Sequence, residues 1–165
     1  MSGSTLLTHV DAKGGVRMVD VGSKSVTARH ALAEAWVRVS HPLAEAIRTD
    51  SVAKGNLLET AKIAGIQAAK QTDRLIPLCH SLPLDAVVVS AALEGNAVCL
   101  RAEVRTSWKT GVEMEALTAV TVAALTVVDM GKAIDPGMVI EGVRLLEKDG
   151  GAHGAYVAPG HERFA

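Results

Sequence analysis

The stretch LDAVVVSAALEGNAVCLRAEVRTSW (residues 84–108) decides the fold. It holds two β-rich runs, LDAVVVSAAL and AVCLRAEVRTSW, and between them EGN, a hairpin turn signal. Directly behind it, KTGVEMEAL (109–117) opens a helix spanning residues 111–131. Upstream, VTARHALAEAWVRVS is ambiguous: its alanines suit a helix, whereas AWVRVS alternates like a strand. We read a strand ending near Ser40. HPLAEAIRT then starts a short helix, with Pro42 tolerated in its first turn. After the loop VAKGN, LLETAKIAGIQAAKQT has helical spacing, with Leu58, Ala61, Ile63, Ile66 and Ala69 along one side. Pro77 and Pro83 bracket LCHSL, which excludes a regular helix interior there. Downstream, AIDPGM breaks the chain, VIEGVRLLEK is a last strand and DGGAHG is a glycine loop. Strand, helices, strand, strand, helix, strand is the order of two β-α-β units sharing one antiparallel sheet. The expected fold is an α+β ferredoxin-like sandwich, an antiparallel sheet packed on helices. Residues 1–25 are rich in Ser, Thr, Gly and charge and read as a mobile arm. Residues 26–151 read as the single catalytic domain and 152–165 as a C-terminal tail.

The chain has 165 residues, enough for one domain to bury roughly 68–70% of its unfolded surface without a disulfide or metal staple. Hydrophobic residues make up 48% and aromatics 2%, so the core must be built of Ala, Val, Leu and Ile. Each such side chain contributes little burial, which points to additional burial between subunits. The formal net charge of −1 favours neither nucleic acid nor an anionic membrane as a partner. Any phosphate recognition must come from a few locally placed cations. Cys79 and Cys99 form no CxxC pair, and together with the lack of a signal-like N-terminus they give a cytoplasmic expectation. The longest apolar run, residues 116–128, is short for a bilayer and broken by threonines; a buried helix accounts for it.

On a helical wheel Glu115, Thr118 and Asp129 fall within about 60° of one another, with Lys132 one turn from Asp129. That is a narrow polar stripe on an apolar rod. Two explanations stand side by side: a ligand-binding stripe, or acids and a lysine that merely suit the two ends of the helix dipole. Glu115 and Asp129 are ~21 Å apart along the axis, too far to touch one small reacting centre from one straight helix. Either they serve opposite ends of an extended ligand or different sites. Antiparallel helices meeting at a two-fold axis would set one end beside the other chain's opposite end.

Lys54, beside a glycine at a helix start, is either a phosphate ligand or a solvated loop lysine. His80, between prolines, is either a general base or ligand donor, or a satisfied structural histidine. A Cys79–His80 nucleophile pair is disfavoured if the two lie on a strand, because adjacent side chains there face opposite ways. DGGAHG, with Lys148 beside it, is an anion-binding nest or simply a turn. The cysteines and histidines lack paired ligand spacing, so no metal site is read. Dinucleotide and P-loop fingerprints are missing.

Four stretches carry a resemblance: LTHVDAKGGVRMVDV, KGNLLETAKIAGIQAAKQTDRLIPLCHSLPL, KTGVEMEALTAVTVAALTVVDMGKAI and VRLLEKDGG. The chain resembles the cyclic pyranopterin monophosphate synthase family, molybdenum cofactor biosynthesis protein C, across residues 7–151. The resemblance implies rearrangement of a cyclised GTP, 3′,8-cyclo-7,8-dihydro-GTP, to cyclic pyranopterin monophosphate with loss of pyrophosphate. It implies no redox or organic cofactor, with Mg²⁺ as an optional companion of the triphosphate. By motif it implies Asp129 as acid/base, with Lys54 and Lys132 as catalytic lysines. Leu78, Cys79, His80, Met114 and Glu115 become substrate contacts, with Glu113 in the same cluster. Arg29 and Lys148 are placed near phosphates. It also implies a homohexamer, a trimer of dimers, with sites at subunit interfaces. Such chemistry needs protons delivered and removed, cations for the triphosphate, and a carboxylate acceptor for the guanine edge.

Two departures from the family pattern stand out. Ala152 and His153 follow DGG where a basic residue is expected, and Trp108 precedes KTG where a small or polar one is. If sites are shared, mixing Lys54→Ala with Asp129→Asn subunits is expected to restore activity. A nucleotide sensor, or a purely structural subunit, is what the residues without the resemblance leave open.

Overall fold

The computed structural model describes residues 14–151 and 154–162. Ala152, His153 and the first thirteen residues of the arm lie outside the described residues. The chain runs through β1 (Thr27–Arg38), α1 (His41–Arg48), α2 (Leu57–Ala69) and the single-turn α3 (Thr72–Leu75). It continues with β2 (Ala86–Glu94), β3 (Ala97–Trp108), α4 (Glu113–Gly131), β4 (Val139–Asp149) and a two-residue β5 (Tyr156–Val157). The strands form one sheet in the order β2-β3-β1-β4-β5, and every pairing is antiparallel. This is the expected α+β sandwich. The hairpin read from EGN closes through Gly95 and Asn96, with Glu94 opposite Ala97. Gly95 takes φ 59°, as a two-residue turn needs.

β1 settles its own ambiguity by period. Ala31, Ala33, Ala35 and Val37 are all fully buried and lie opposite Val104, Ala102, Leu100 and Val98 of β3. Its other face carries Glu34, buried and ion-paired to Arg101 and Arg144. With small residues on the core face, the helices come close. A Cβ on Gly65 of α2 would lie 3.0 Å from the Ala119 carbonyl oxygen of α4. α4 has the length and composition of a membrane span. Its Ala116, Ala119, Val120, Ala123 and Val127 nevertheless lie wholly inside the hydrophobic core.

Four local expectations change. The buried side of α2 is Leu57, Ala61, Gly65, Ala68 and Ala69, while Ile63 is 67% exposed. The true face is the line of small residues that fits the close contact with α4, not the line of larger aliphatics. α3, too short for a periodic signal, precedes LCHSL. The polar stripe on α4 is not one surface: Glu115 and Thr118 are buried, whereas Asp129 is exposed. Finally, residues beyond the glycine loop add β5 to the sheet edge. There the Ala158 N–H donates to the Leu146 carbonyl at 2.8 Å, and His161 pairs with Glu147 at 2.7 Å.

Candidate active site

The buried α4 carries one functional cluster at each end. At its start, Gly111 makes room for chemistry. A Cβ there would sit 1.9 Å from Glu113 Oε2, so only glycine lets the Glu113 carboxylate lie back over the backbone. In that position Glu113 Oε1 accepts a hydrogen bond from Lys148 Nζ of β4 at 3.0 Å. Beside it, Gly150 and Gly151 have φ of 91° and 80°. A Cβ on Gly151 would fall 1.6 Å from Arg29 Nη1, so the two glycines form a cradle for the Arg29 guanidinium. Arg29 Nε is buried without a hydrogen-bond partner. Around these groups lies a cavity of about 460 Å³. Lys24, Arg29, Lys109 and Lys148 line it against the carboxylates of Glu113 and Asp149.

A second cavity, about 430 Å³, shares Lys24, Thr110, Gly111 and Glu113 with the first, so the two adjoin as parts of one cleft. Leu78, Cys79, His80, Met114 and Glu115 line this second part. Cys79 and His80 stand on irregular chain rather than a strand, and both face the same cavity. The argument that they point apart therefore fails. Their pairing as nucleophile and base still gains no support, because burial, then Glu115 and Asp73, push the Cys79 thiol up. His80 Nε2–H donates to the Val19 carbonyl at 2.8 Å. The segment bearing Val19 is held a second time, where Lys109 Nζ donates to the Gly22 carbonyl at 2.6 Å. Glu115 is 4% exposed, and its acid strength is weakened to a pKa of about 7. Burial is the main cause; Glu113 and Asp73 add to it, while its own backbone N–H opposes it.

At the far end, Asp129 is clasped by two ammonium groups. Oδ1 accepts from Lys132 Nζ at 2.7 Å and Oδ2 from Lys54 Nζ at 2.8 Å. Lys54 Nζ also donates to the Asp129 backbone carbonyl at 2.7 Å, at a helix C-terminus that favours cations. The Lys132 hydrogen bond first, then that from Lys54, lowers the Asp129 pKa to about 2. All three side chains are exposed, at 46–60%. Lys54 thus turns away from the start of α2, where a phosphate role had placed it, and joins Asp129 within one chain. Asp129 Oδ is an acceptor only in this state; the protons belong to the lysines.

Within a chain the two clusters stay apart by the ~21 Å of α4 between residues 115 and 129. Lys24, Lys109 and Thr110 are cleft-lining residues that sequence reasoning passed over. Lys24 fell in the arm, and Lys109 stood inside the quoted KTGVEMEAL without a role. A lysine two residues before a helix-opening glycine was the available signal.

Fold and site together define a small α+β sandwich protein with a cationic cleft built around a helix N-terminus. The chain belongs to the MoaC family, whose family model matches residues 18–151. It is 52% identical over 152 residues to a cyclic pyranopterin monophosphate synthase of Novosphingobium aromaticivorans, covering 92% of this chain and 97% of that protein. Proteins of the same name from Streptomyces avermitilis and Streptomyces coelicolor are each 54% identical over 148 residues, covering 90% of this chain and 87% of theirs. The chain is accordingly an enzyme of this family, with a role in molybdenum cofactor biosynthesis.

Proposed function

We propose that this enzyme converts 3′,8-cyclo-7,8-dihydro-GTP to cyclic pyranopterin monophosphate and releases pyrophosphate. The adjacency of the two cavities supports this most directly. A part rich in cations, suited to a triphosphate, shares Lys24, Thr110, Gly111 and Glu113 with a part lined by His80, Met114 and Glu115. Each part lies within the size range of small-molecule pockets, roughly 300–1,000 Å³. Arg29, Lys148, Lys109 and Lys24 take the phosphates, and the buried Arg29 Nε gains there the acceptor it lacks. Glu113 meets the guanine edge, with Leu78, Cys79, His80, Met114 and Glu115 around the ring. Mg²⁺, where present, travels with the triphosphate as part of the substrate, and no redox or organic cofactor takes part. We place the enzyme in the cytoplasm.

The Lys54–Asp129–Lys132 clasp supplies proton transfer, and it does so from a neighbouring chain. The exposed side of α4 carries Leu125, 54% exposed, between the two clusters. Burying that side against an antiparallel copy sets the clasp of one chain at the cleft of the next. Phosphate oxygens entering there compete for the lysines and release the Asp129 carboxylate as a base; the ammonium groups serve as acids and offset charge on the leaving pyrophosphate. A trimer of such dimers completes the homohexamer. Incubating the purified enzyme with the cyclised nucleotide tests the proposal. Formation of the cyclic pterin phosphate with one equivalent of pyrophosphate is expected, and tight binding without turnover would favour a nucleotide sensor instead.

A further inference from the structure

Glu115 lines two cavities. One is the His80-lined part of the cleft; the other, a smaller cavity of about 230 Å³ that we call the rear one, is lined by Asp73, Ser81, Lys70 and Arg74 as well as by His80 and Glu115. We propose that Glu115 is a catalytic proton donor to the substrate ring, and that this rear cavity, through Asp73 and Ser81, is the route by which solvent recharges it. The inference rests on the functional reading above and deepens it.

Placement carries the proposal. The Glu115 side chain is almost fully buried, at 4% exposure. Lys24, Lys70 and Arg74 line the same cavities, yet among the described residues none forms an ion pair with it. Its titratable neighbours are acids or weak acids: Glu113 on its own helix, Asp73 of α3, and the Cys79 thiol; His80 is held by Val19. A carboxyl removed from water, near two other carboxylates and with no ion-pair partner among the described residues, is favoured in its neutral acid form. Glu113, two residues earlier, is placed differently, because Lys148 Nζ pairs with its Oε1 at 3.0 Å. Of the two carboxyls in one helical turn, one has an ion-pair partner and the other has none among the described residues, the contrast of surroundings that separates an acceptor from a donor. In the rear cavity, Ser81 Oγ donates to Asp73 Oδ2, so a hydrogen-bonded carboxylate and hydroxyl line the same cavity as Glu115.

The step balances as a hydrolytic ring opening. A C–N bond of the imidazole-derived ring breaks, and the departing nitrogen takes the bonding electron pair and the Glu115 proton. Water oxygen bonds the carbon, and the displaced water proton leaves to the Asp129 carboxylate. Glu115, now ionised in an apolar wall beside Asp73, regains a proton from the rear cavity.

The test uses the full-length enzyme and two variants, Glu115→Gln and Asp73→Asn. Infrared difference spectra of substrate-free wild type against Glu115→Gln should show the carbonyl stretch of a neutral carboxylic acid at pH 6. That band should vanish as pH rises, with its midpoint moved to lower pH in Asp73→Asn. Glu115→Gln keeps the shape and should lower kcat about 10²–10⁴-fold, the usual worth of a general acid, with a much smaller change in KM. Glu115→Asp should recover part of the loss. Asp73→Asn should keep substrate binding and move the basic limb of the kcat profile to lower pH. A carboxylate already ionised at pH 6, or wild-type kcat in Glu115→Gln, overturns the assignment. A wild-type enzyme that shows the neutral acid but does not turn over the cyclised nucleotide would overturn the substrate assignment and, with it, the donor role.

Discussion

Gly111→Ala separates the site from the fold. A methyl group there would collide with Glu113, at 1.9 Å from Oε2 and 2.7 Å from Cδ. The obstructing atoms are the far end of a flexible side chain, so Glu113 swings away and the backbone stays. Gly111 is not among the glycines with positive φ, so alanine fits its backbone. The lost contact is the 3.0 Å Lys148–Glu113 pair, whose side chains are each 30% exposed. Such a partly solvated pair contributes only ~0.2–1 kcal/mol. Replacing glycine by alanine restricts the unfolded chain and returns ~0.4–1 kcal/mol. Net stability should therefore change by less than about 1 kcal/mol, a Tm shift of no more than about 4 °C for a chain of this length. Activity should not be spared. If Glu113 makes a charge-assisted hydrogen bond to the guanine edge, its removal costs ~1.5–3 kcal/mol. In kcat/KM for pyrophosphate release that is a loss of roughly 10–150-fold. Unchanged kcat/KM, in a variant whose structure shows Glu113 displaced, would refute the role given to Glu113. A collapse in Tm would refute the premise that only the side chain yields.

Gly65→Ala should do the reverse, because the obstacle is the Ala119 carbonyl and the Val89 side chain rather than a flexible end. We expect a loss of ~1–3 kcal/mol by denaturant unfolding. Asp129→Asn should abolish turnover with a Tm near wild type, since Asp129 is exposed and its partners are exposed lysines; retained turnover would remove it from the chemistry. Glu115 should make stability depend on pH. Its folded pKa of about 7 lies above the ordinary 4.5, so the folded state binds the extra proton and stability falls as pH rises from about 4.5 through 7. The fall is worth about 3 kcal/mol if the whole shift is expressed, and Glu115→Gln should abolish it, as urea titrations across that range would record.

The residues disclose most of the sheet. AWVRVS alternates like a strand and EGN signals the hairpin that Gly95 and Asn96 close, but Ala31, Ala33 and Ala35 suit a helix equally, and only their pairing with β3 makes them one buried face. Faces of helices were harder to read. Hydrophobicity pointed to Ile63 on α2, but the geometry of a close helix pair chose Gly65 and the alanines, which a hydrophobic scale ranks low. Lys54 and Asp129 are 75 positions apart, and nothing local announces that the lysine crosses to the end of α4. Arg29 and Gly151 come together only through the β1–β4 pairing, so spacing could not disclose the cradle. The opposite placement of Glu115 and Asp129 on α4, in contrast, followed from helical rise alone.

On the proposed function, that separation requires a second chain to complete the site, and it defines the decisive measurement. Because Lys54 touches Asp129 in the same chain, mixing Lys54→Ala with Asp129→Asn tests the wrong pair and should give no rescue. His80→Ala and Asp129→Asn alter opposite ends of α4. Mixed one to one, with mixed oligomers verified by mass spectrometry, they should recover about a quarter of wild-type activity if two chains build each site. Inactive mixed oligomers would contradict a cleft completed by the neighbouring chain's aspartate.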